Sequence, residues 1–369
     1  MKDSKTVNLV LEGGGVKGIG LVGAIEELEA AGYSWDYIGG TSAGAIVATL
    51  LAVGYTGRDL HEVIIGPDLD FINIMDDVPV RQDFFKVQKR LIRAIEKKRS
   101  FGILFSVLRT AFRMRKLVKR LQQNYGLFNG EYIVEKVRDL IEKKTGSRRY
   151  TFADLAKTNE GDPTKLSLMV TDITNGRLLI LPRDLPKLHS SPEKMEIAQA
   201  MRMSMSFPFF FKPVRVRIPD REILLMDGGV LSNFPYWYID GLAEASKKPH
   251  PTIGILLEEP PGAGIKDLGG IITALLNTMI SPLDRAGHRA LSNRIVKVTT
   301  SVEADGQTRD ISTLAFDLGQ KEKDLLYDNG RKAARAFIPT FERTTEKEKS
   351  AVQIMKDWSG DKSAPAAAA

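Results

Sequence analysis

The sequence predicts an α/β fold. Short apolar runs bounded by polar or turn residues recur along the chain, helical periodicities lie between them, and twice a strand passes through a glycine-containing turn directly into a helix. Val7–Leu11 opens the series as a strand. Leu21, Ile25, Leu28 and Ala31 follow at spacings of three and four, the buried face of a helix for which Gly32 supplies a C-terminal cap. A short strand around Tyr37–Gly39 comes next, and Thr41-Ser42-Ala43-Gly44 then leads into an apolar helical segment from Ala45 to Val53, ended by Gly54. Leu166–Val170, Leu178–Leu181, Ile223–Met226, Ile253–Leu257 and Ile295–Val298 read as further strands of the same sheet. The sequence carries no internal repeat.

Composition narrows the chemistry. With 369 residues, 43% of them hydrophobic and 27% charged, the chain can bury a sizeable core and has the make-up of a soluble globular protein. It contains no cysteine and four histidines, which excludes disulfides, cysteine-based metal sites and a cysteine nucleophile. Chemistry is left mainly to Ser, Asp, Glu, Lys or the backbone. The opening Met-Lys-Asp-Ser-Lys runs into Val7 without the apolar core and cleavage site of a secretory signal, so a cytoplasmic location is expected. The longest apolar stretch, Ala43 to Val53, is about half of the roughly 18–20 residues a membrane-spanning helix needs.

The net charge of +7 allows an anionic partner, either nucleic acid or an acidic bilayer, and does not choose between them. Its distribution is uneven. Residues 81–125 hold fourteen Lys and Arg against two acids, Asp83 and Glu96, a net +12. Within them Leu104, Leu108, Ala111, Met114, Val118 and Leu121 follow helical spacing, and Arg109, Arg113, Lys116 and Arg120 form a separate basic stripe. The segment reads as an amphipathic helical insertion. From about Thr344 the chain turns polar and ends in an alanine run, the pattern of a frayed tail.

Three motifs carry chemistry. Glu12-Gly13-Gly14-Gly15-Val16-Lys17-Gly18 lies between the first strand and the first helix, where consecutive glycines let backbone N–H groups approach an anion. Gly13, Gly15 and Gly18 also fit G-x-G-x-x-G, with Asp36 about where a ribose-binding acid would stand, so a dinucleotide site is an alternative. Gly40-Thr41-Ser42-Ala43-Gly44 is a G-x-S-x-G between a strand and a helix, the context in which a sharp elbow presents a nucleophilic hydroxyl toward a helix N-terminus. Asp227 closes the strand Ile223–Met226 ahead of Gly228-Gly229, placing a carboxylate at a strand's C-terminal end, where open α/β sheets keep their sites. His61, His189, His250 and His288 lie in polar or turn-like surroundings and read as surface residues.

On these residues the chain resembles the patatin-like phospholipases. Gly13-Gly14-Gly15-Val16-Lys17-Gly18 is similar to the family's glycine loop, Gly40-Thr41-Ser42-Ala43-Gly44 to its nucleophile elbow, and Asp227-Gly228-Gly229 to its Asp-Gly-Gly turn, in the same order and spacing. The stretch Ala200–Pro208 and Asn233-Phe234-Pro235 add to the likeness, which covers about residues 5–300, with 81–125 outside the shared core. The resemblance implies a three-layer α/β/α domain with a mostly parallel sheet, set at residues 5–340, with 344–369 as tail.

It further implies a serine acyl hydrolase of membrane lipids that works by a Ser–Asp dyad. Ser42 would be the nucleophile and Asp227 the base. Gly13, Gly14 and Gly15 would donate N–H groups to the oxyanion, Lys17 would orient the loop that Gly18 completes, and Gly40, Gly44, Gly228 and Gly229 would shape the elbow and the Asp turn. No metal or organic cofactor is implied. A carboxylate is a weak base toward an alcohol unless desolvation raises its pKa, and Met226, Phe207 and Phe209–Phe211 are candidates for the apolar surroundings. The expected partners are an acyl lipid and an anionic membrane surface met by the stripe of Arg109, Arg113, Lys116 and Arg120. Nucleic acid is not expected, because a nucleotide- or nucleic-acid-binding role would leave the Ser42 elbow and Asp227 unexplained. An α/β-hydrolase triad with His250 or His288 has the right chain order but normally builds several strands before its elbow, whereas one precedes it here.

Overall fold

The structure, a computed structural model, describes residues 5–66, 70–96, 103–246, 249–258, 292–304 and 307–344. His288 and the tail beyond Thr344 lie outside these residues. The strands are β1 (Lys5–Leu11), β2 (Tyr33–Gly40), β3 (Gly126–Phe128), β4 (Leu166–Asp172), β5 (Arg177–Leu181), β6 (Phe209–Phe211), β7 (Val214–Ile218), β8 (Arg221–Asp227), β9 (Thr252–Glu258) and β10 (Ile295–Thr299). The helices that matter here are α1 (Ile19–Ala30), α2 (Ala43–Ala52), α3 (Gly57–Leu60), α4 (Val78–Glu96), α5 (Ile103–Asn124), α6 (Glu131–Thr145), α7 (Phe152–Thr158), α8 (Ile197–Ser204), α9 (Tyr236–Ala245) and α10 (Gln320–Thr344).

The central sheet has the order β10-β9-β1-β2-β4-β8-β7, with β5 also paired to β4. The strands β10, β9, β1, β2 and β4 are mutually parallel, and β5 and β8 run antiparallel to β4. All seven apolar runs read as strands lie in this sheet. The strand β7, Val-Arg-Val-Arg-Ile, was not expected: it is a half-exposed edge strand and has no continuous apolar run.

Central parallel strands are buried on both faces, which is why Val7–Leu11 of β1 is apolar on both faces save for the buried Asn8. Leu9 and Leu11 pack into the larger core with Leu21, Ile25 and Leu28 of α1 and with Leu326 and Phe337 of α10. Val10 points the other way, into a second core with Tyr236, Tyr238 and Ile239 of α9. Helices therefore cover both sides of the sheet, the three-layer arrangement expected. The helix α10 was not foreseen. It lies along α1, tied by ion pairs from Arg331 and Arg335 to Glu27, at 3.2 and 2.7 Å.

Topology sets the place of the site. On leaving β1 the chain moves through α1 to β2 on one side, while β9 and β10 lie on the other, so the strand order reverses at β1. A crevice forms outside the carboxyl ends at such a switch point. Both glycine-bearing turns, after β1 and after β2, open there. The third motif arrives differently from the sequence-based expectation, since β8 is antiparallel. It runs inward from the β4 edge and stops with Asp227 opposite Val170, while Gly40 is level with Leu168. Ser42 lies two residues beyond Gly40 and Val170 two beyond Leu168, so the register brings Ser42 and Asp227 to the same level.

Candidate active site

Ser42 sits between β2 and α2 with φ 53° and ψ −119°, a conformation that costs a non-glycine residue on the order of 1–3 kcal/mol. Surrounding bonds hold it there. Its N–H donates to Ser204 Oγ of α8 at 3.2 Å, the Thr41 hydroxyl donates to the Ser232 carbonyl at 3.1 Å, and the Ser42 carbonyl accepts the N–H of Ala45 at 2.9 Å. Gly44 makes the close fit possible: a Cβ there would lie 2.3 Å from the Leu11 carbonyl oxygen. Gly40 meets Gly44 in the same turn, and Gly18 abuts Ala43 at the start of α1. The elbow thus directs the start of α2, with its N-terminal partial positive charge, at the place where the hydroxyl stands.

Asp227 is 2% exposed. Its Oδ1 accepts the N–H of Gly229 at 2.8 Å, its own N–H donates to the Ser206 carbonyl at 3.0 Å, and Gly228 rests against the backbone of Met169. Burial pushes its pKa up to about 7, opposed by the Ser42 hydroxyl, the Gly229 N–H and the positive charge of Arg202. The contact with Ser42 falls short of regular hydrogen-bond geometry, because Oδ2 is buried with no hydrogen-bond partner among the described residues. A buried carboxylate with one oxygen unsatisfied carries a desolvation cost, and such a group is poised to accept a proton.

The glycine loop passes beside Ser42. A Cβ on Gly13 would come within 3.1 Å of Ser42 Cβ and 2.3 Å of Asn233 Oδ1, so only glycine lets the loop lie this close. Gly13 departs from its expected role: its N–H donates to the Asn233 carbonyl at 3.2 Å and is engaged. The N–H groups of Gly14 and Gly15 have no acceptor among the described residues. Two amides, rather than three, therefore remain for an incoming anion. Lys17 is buried at 5% exposure in the short turn Gly15–Gly18.

Four residues not assigned a role from the sequence complete the frame. Glu12 accepts from the Leu257 N–H at 2.6 Å and from Asn233 Nδ2 at 3.2 Å, and Asn233 Nδ2 also donates to the Gly13 carbonyl at 3.0 Å. This brackets the glycine loop to the turn that follows Asp227. Ser204 receives the Ser42 amide, as above. Arg202, 4% exposed, donates to the carbonyls of Asn129 and Lys212 and to Ser206 Oγ. Burial pulls its pKa down to about 10, opposed by Glu131, Asp76 and Asp227, so it stays cationic at neutral pH. A lone Glu, Arg or Asn gives no sequence signal of this kind, although all four lie within or beside segments that carried the family likeness.

The remaining expectations separate. Met226, Phe207, Phe210 and Phe211 are buried, whereas Phe209 is 56% exposed and belongs to the surface. Asp36 lies within β2, before its carboxyl end, and is ion-paired with Lys165, which removes it from the ribose-binding position of a dinucleotide site. His61 packs against the ring of Tyr327, and His189 follows Leu188 in a left-handed turn. His250 precedes β9 at the amino edge of the parallel strands, opposite to the site, with its carbonyl accepting from Asn8 Nδ2. In the basic stripe, Arg113 and Lys116 pair with Asp83 and Arg120 pairs with Asp77, so these three cations face α4 and the segment before it. The Arg109 side chain lies outside the described residues.

The family model of the patatin-like phospholipases matches residues 9–240. The chain belongs to that family. It is 30% identical over 333 residues to the Bacillus subtilis protein YqhO, covering 89% of this chain and 97% of that one. It is 25% identical over 228 residues to 463L of Invertebrate iridescent virus 6, named a probable lipid hydrolase, covering 62% of this chain and 61% of that one. Among solved structures, the crystal structure of VipD from Legionella pneumophila aligns with a TM-score of 0.49 at 18% identity, covering 91% of this chain and 67% of that one.

Proposed function

We propose that the protein is a serine acyl hydrolase that cleaves acyl esters of membrane lipids, of phospholipase A or lysophospholipase type, through Ser42 and Asp227. The observation that carries this reading is the buried carboxylate of Asp227, brought level with a strained Ser42 and left with one oxygen unpartnered among the described residues. Family membership supports the class of reaction.

In the first half-reaction the Ser42 Oγ attacks the ester carbonyl carbon as its proton passes to Asp227. The carbonyl oxygen takes the negative charge and meets the N–H groups of Gly14 and Gly15. Collapse of the tetrahedral intermediate breaks the ester C–O bond, the alcohol leaves with the proton from Asp227, and an acyl-serine remains. In the second half-reaction water loses its proton to Asp227 as it attacks the acyl-serine, and Ser42 recovers that proton as the fatty acid departs. Preorganised backbone donors are well suited to this task, since one oxyanion donor contributes about 10²–10³ in kcat. A base with a pKa about 7 is matched to neutral pH. Replacing Ser42 with Ala is expected to abolish hydrolysis of a short-chain ester while leaving thermal unfolding unchanged; near wild-type turnover would refute the reading.

A further inference from the structure

We propose that the C-terminal half of α5, continued through Tyr125 to Phe209, is the face by which the protein docks on an anionic bilayer. The choice of a bilayer rests on the lipid-hydrolase reading; the face itself does not. Along α5, Leu117 and Leu121 pack on the core, and Arg113, Lys116 and Arg120 turn to Asp83 and Asp77. The remaining side is open. Met114 is 42% and Val118 47% exposed, one helical turn apart, and Arg115 and Lys119 stand exposed beside them with no ion pair among the described residues. Among the described residues of α5, the cations left to meet head groups are therefore Arg115 and Lys119, rather than Arg113, Lys116 and Arg120 of the stripe read from spacing.

The exposed apolar surface continues past the helix. Tyr125 and Phe209 are both exposed and both hold positive φ, 60° and 64°, a conformation that bulky side chains rarely adopt. They are brought together by the β3–β6 pair, in which Gly126, next to Tyr125, aligns with Phe209. Arg215 lies over the Tyr125 ring at 5.4 Å and is itself paired with Glu222. Apolar side chains, exposed rings and flanking cations are what an interfacial surface requires, the first two entering the head-group boundary and the last meeting its charge. The position also suits the reaction. Phe209 follows by three residues Ser206, whose carbonyl holds the Asp227 amide, a chain reach of at most about 11 Å. Docking by this face holds the site close to its substrate.

The test uses the full chain carrying Ser42→Ala, so that binding is read apart from hydrolysis. Flotation with phosphatidylcholine vesicles, with and without phosphatidylglycerol, is compared at low and physiological salt. The expected result is binding that rises with anionic lipid and weakens with salt. Arg115→Gln with Lys119→Gln should reduce it by roughly 30-fold on anionic vesicles, and Phe209→Asn, a residue that tolerates positive φ, by roughly tenfold. In the Ser42 background the same variants should keep wild-type turnover of a soluble short-chain ester. Unchanged vesicle binding in both variants overturns the proposal, as does binding of the unvaried face to a protein with none to vesicles. Equal losses on vesicle and soluble substrate would assign the face to folding and overturn it too. Vesicle binding by a protein that hydrolyses no ester would sink the catalytic reading and leave the docking face standing.

Discussion

In the proposed reaction Asp227 is the side chain that decides most of the chemistry. Its pKa is raised to about 7, above the usual aspartate value, so folding favours the neutral form relative to the unfolded chain, whereas the proposed reaction needs the anion. Activity should then climb about tenfold per pH unit below 7 and level above it, read as kcat/KM against pH on a soluble ester. Linkage fixes the sign for stability. Between the unfolded and folded pKa values the native state binds more protons than the unfolded one, so this group's contribution falls as pH rises from about 4 to about 7. Asp227→Asn removes that penalty: it should cost several orders of magnitude in rate yet raise the melting temperature at pH 8 relative to wild type, and not at pH 4. A lower melting temperature at both pH values would mean that the carboxylate is neutral or paired throughout. Arg202 acts on the same group, since its charge lowers the Asp227 pKa. In Arg202→Gln the acid limb of the profile should move to higher pH, and Arg202→Lys should leave it in place; the same limb in both would limit Arg202 to a structural role.

At the scale of elements, the sheet strands and the two strand-turn-helix units were legible in the sequence because a buried parallel strand is mainly apolar on both faces and a tight turn beside backbone favours glycine. Asp227 ends a strand, as its sequence suggests, but that strand is antiparallel, and register rather than strand polarity places it opposite Val170 at the level of Ser42. What spacing could not show was pairing across elements. The stripe Arg113, Lys116 and Arg120 is regular along α5, but the Asp77 and Asp83 that take it up lie thirty or more residues earlier, near and within the start of α4. Nor does a run of phenylalanines tell which ring is outside; Phe209 is, because its backbone is left-handed between buried neighbours. These pairings make α4 and α5 a unit. Changing Arg113, Lys116 and Arg120 together to Gln should lower stability by about 1 kcal/mol, given their partial exposure, in a urea titration. A fall in vesicle binding with no change in stability would restore the stripe to the membrane-facing role.

For the whole molecule, the site is held by parts far apart in the chain: the loop after β1, the elbow after β2, α8, and the turn after β8, cross-tied by Glu12 and Asn233. The Asn233→Ala protein should fold, lose kcat by roughly 10-fold to 100-fold as the glycine loop loses its bracket, and change KM little, since positioning donors act mainly on the transition state. Loss confined to KM would place Asn233 in substrate binding instead. His250, on the far edge of the sheet, should tolerate alanine without effect on rate. Labelling with a fluorophosphonate probe, with the modified peptide identified by mass spectrometry, tests the Ser42–Asp227 assignment most directly. The expected result is a single adduct on Ser42, formed far more slowly in Asp227→Asn and as fast as wild type in His250→Ala; an adduct on another residue, or labelling of Ser42 that is indifferent to Asp227, would contradict it.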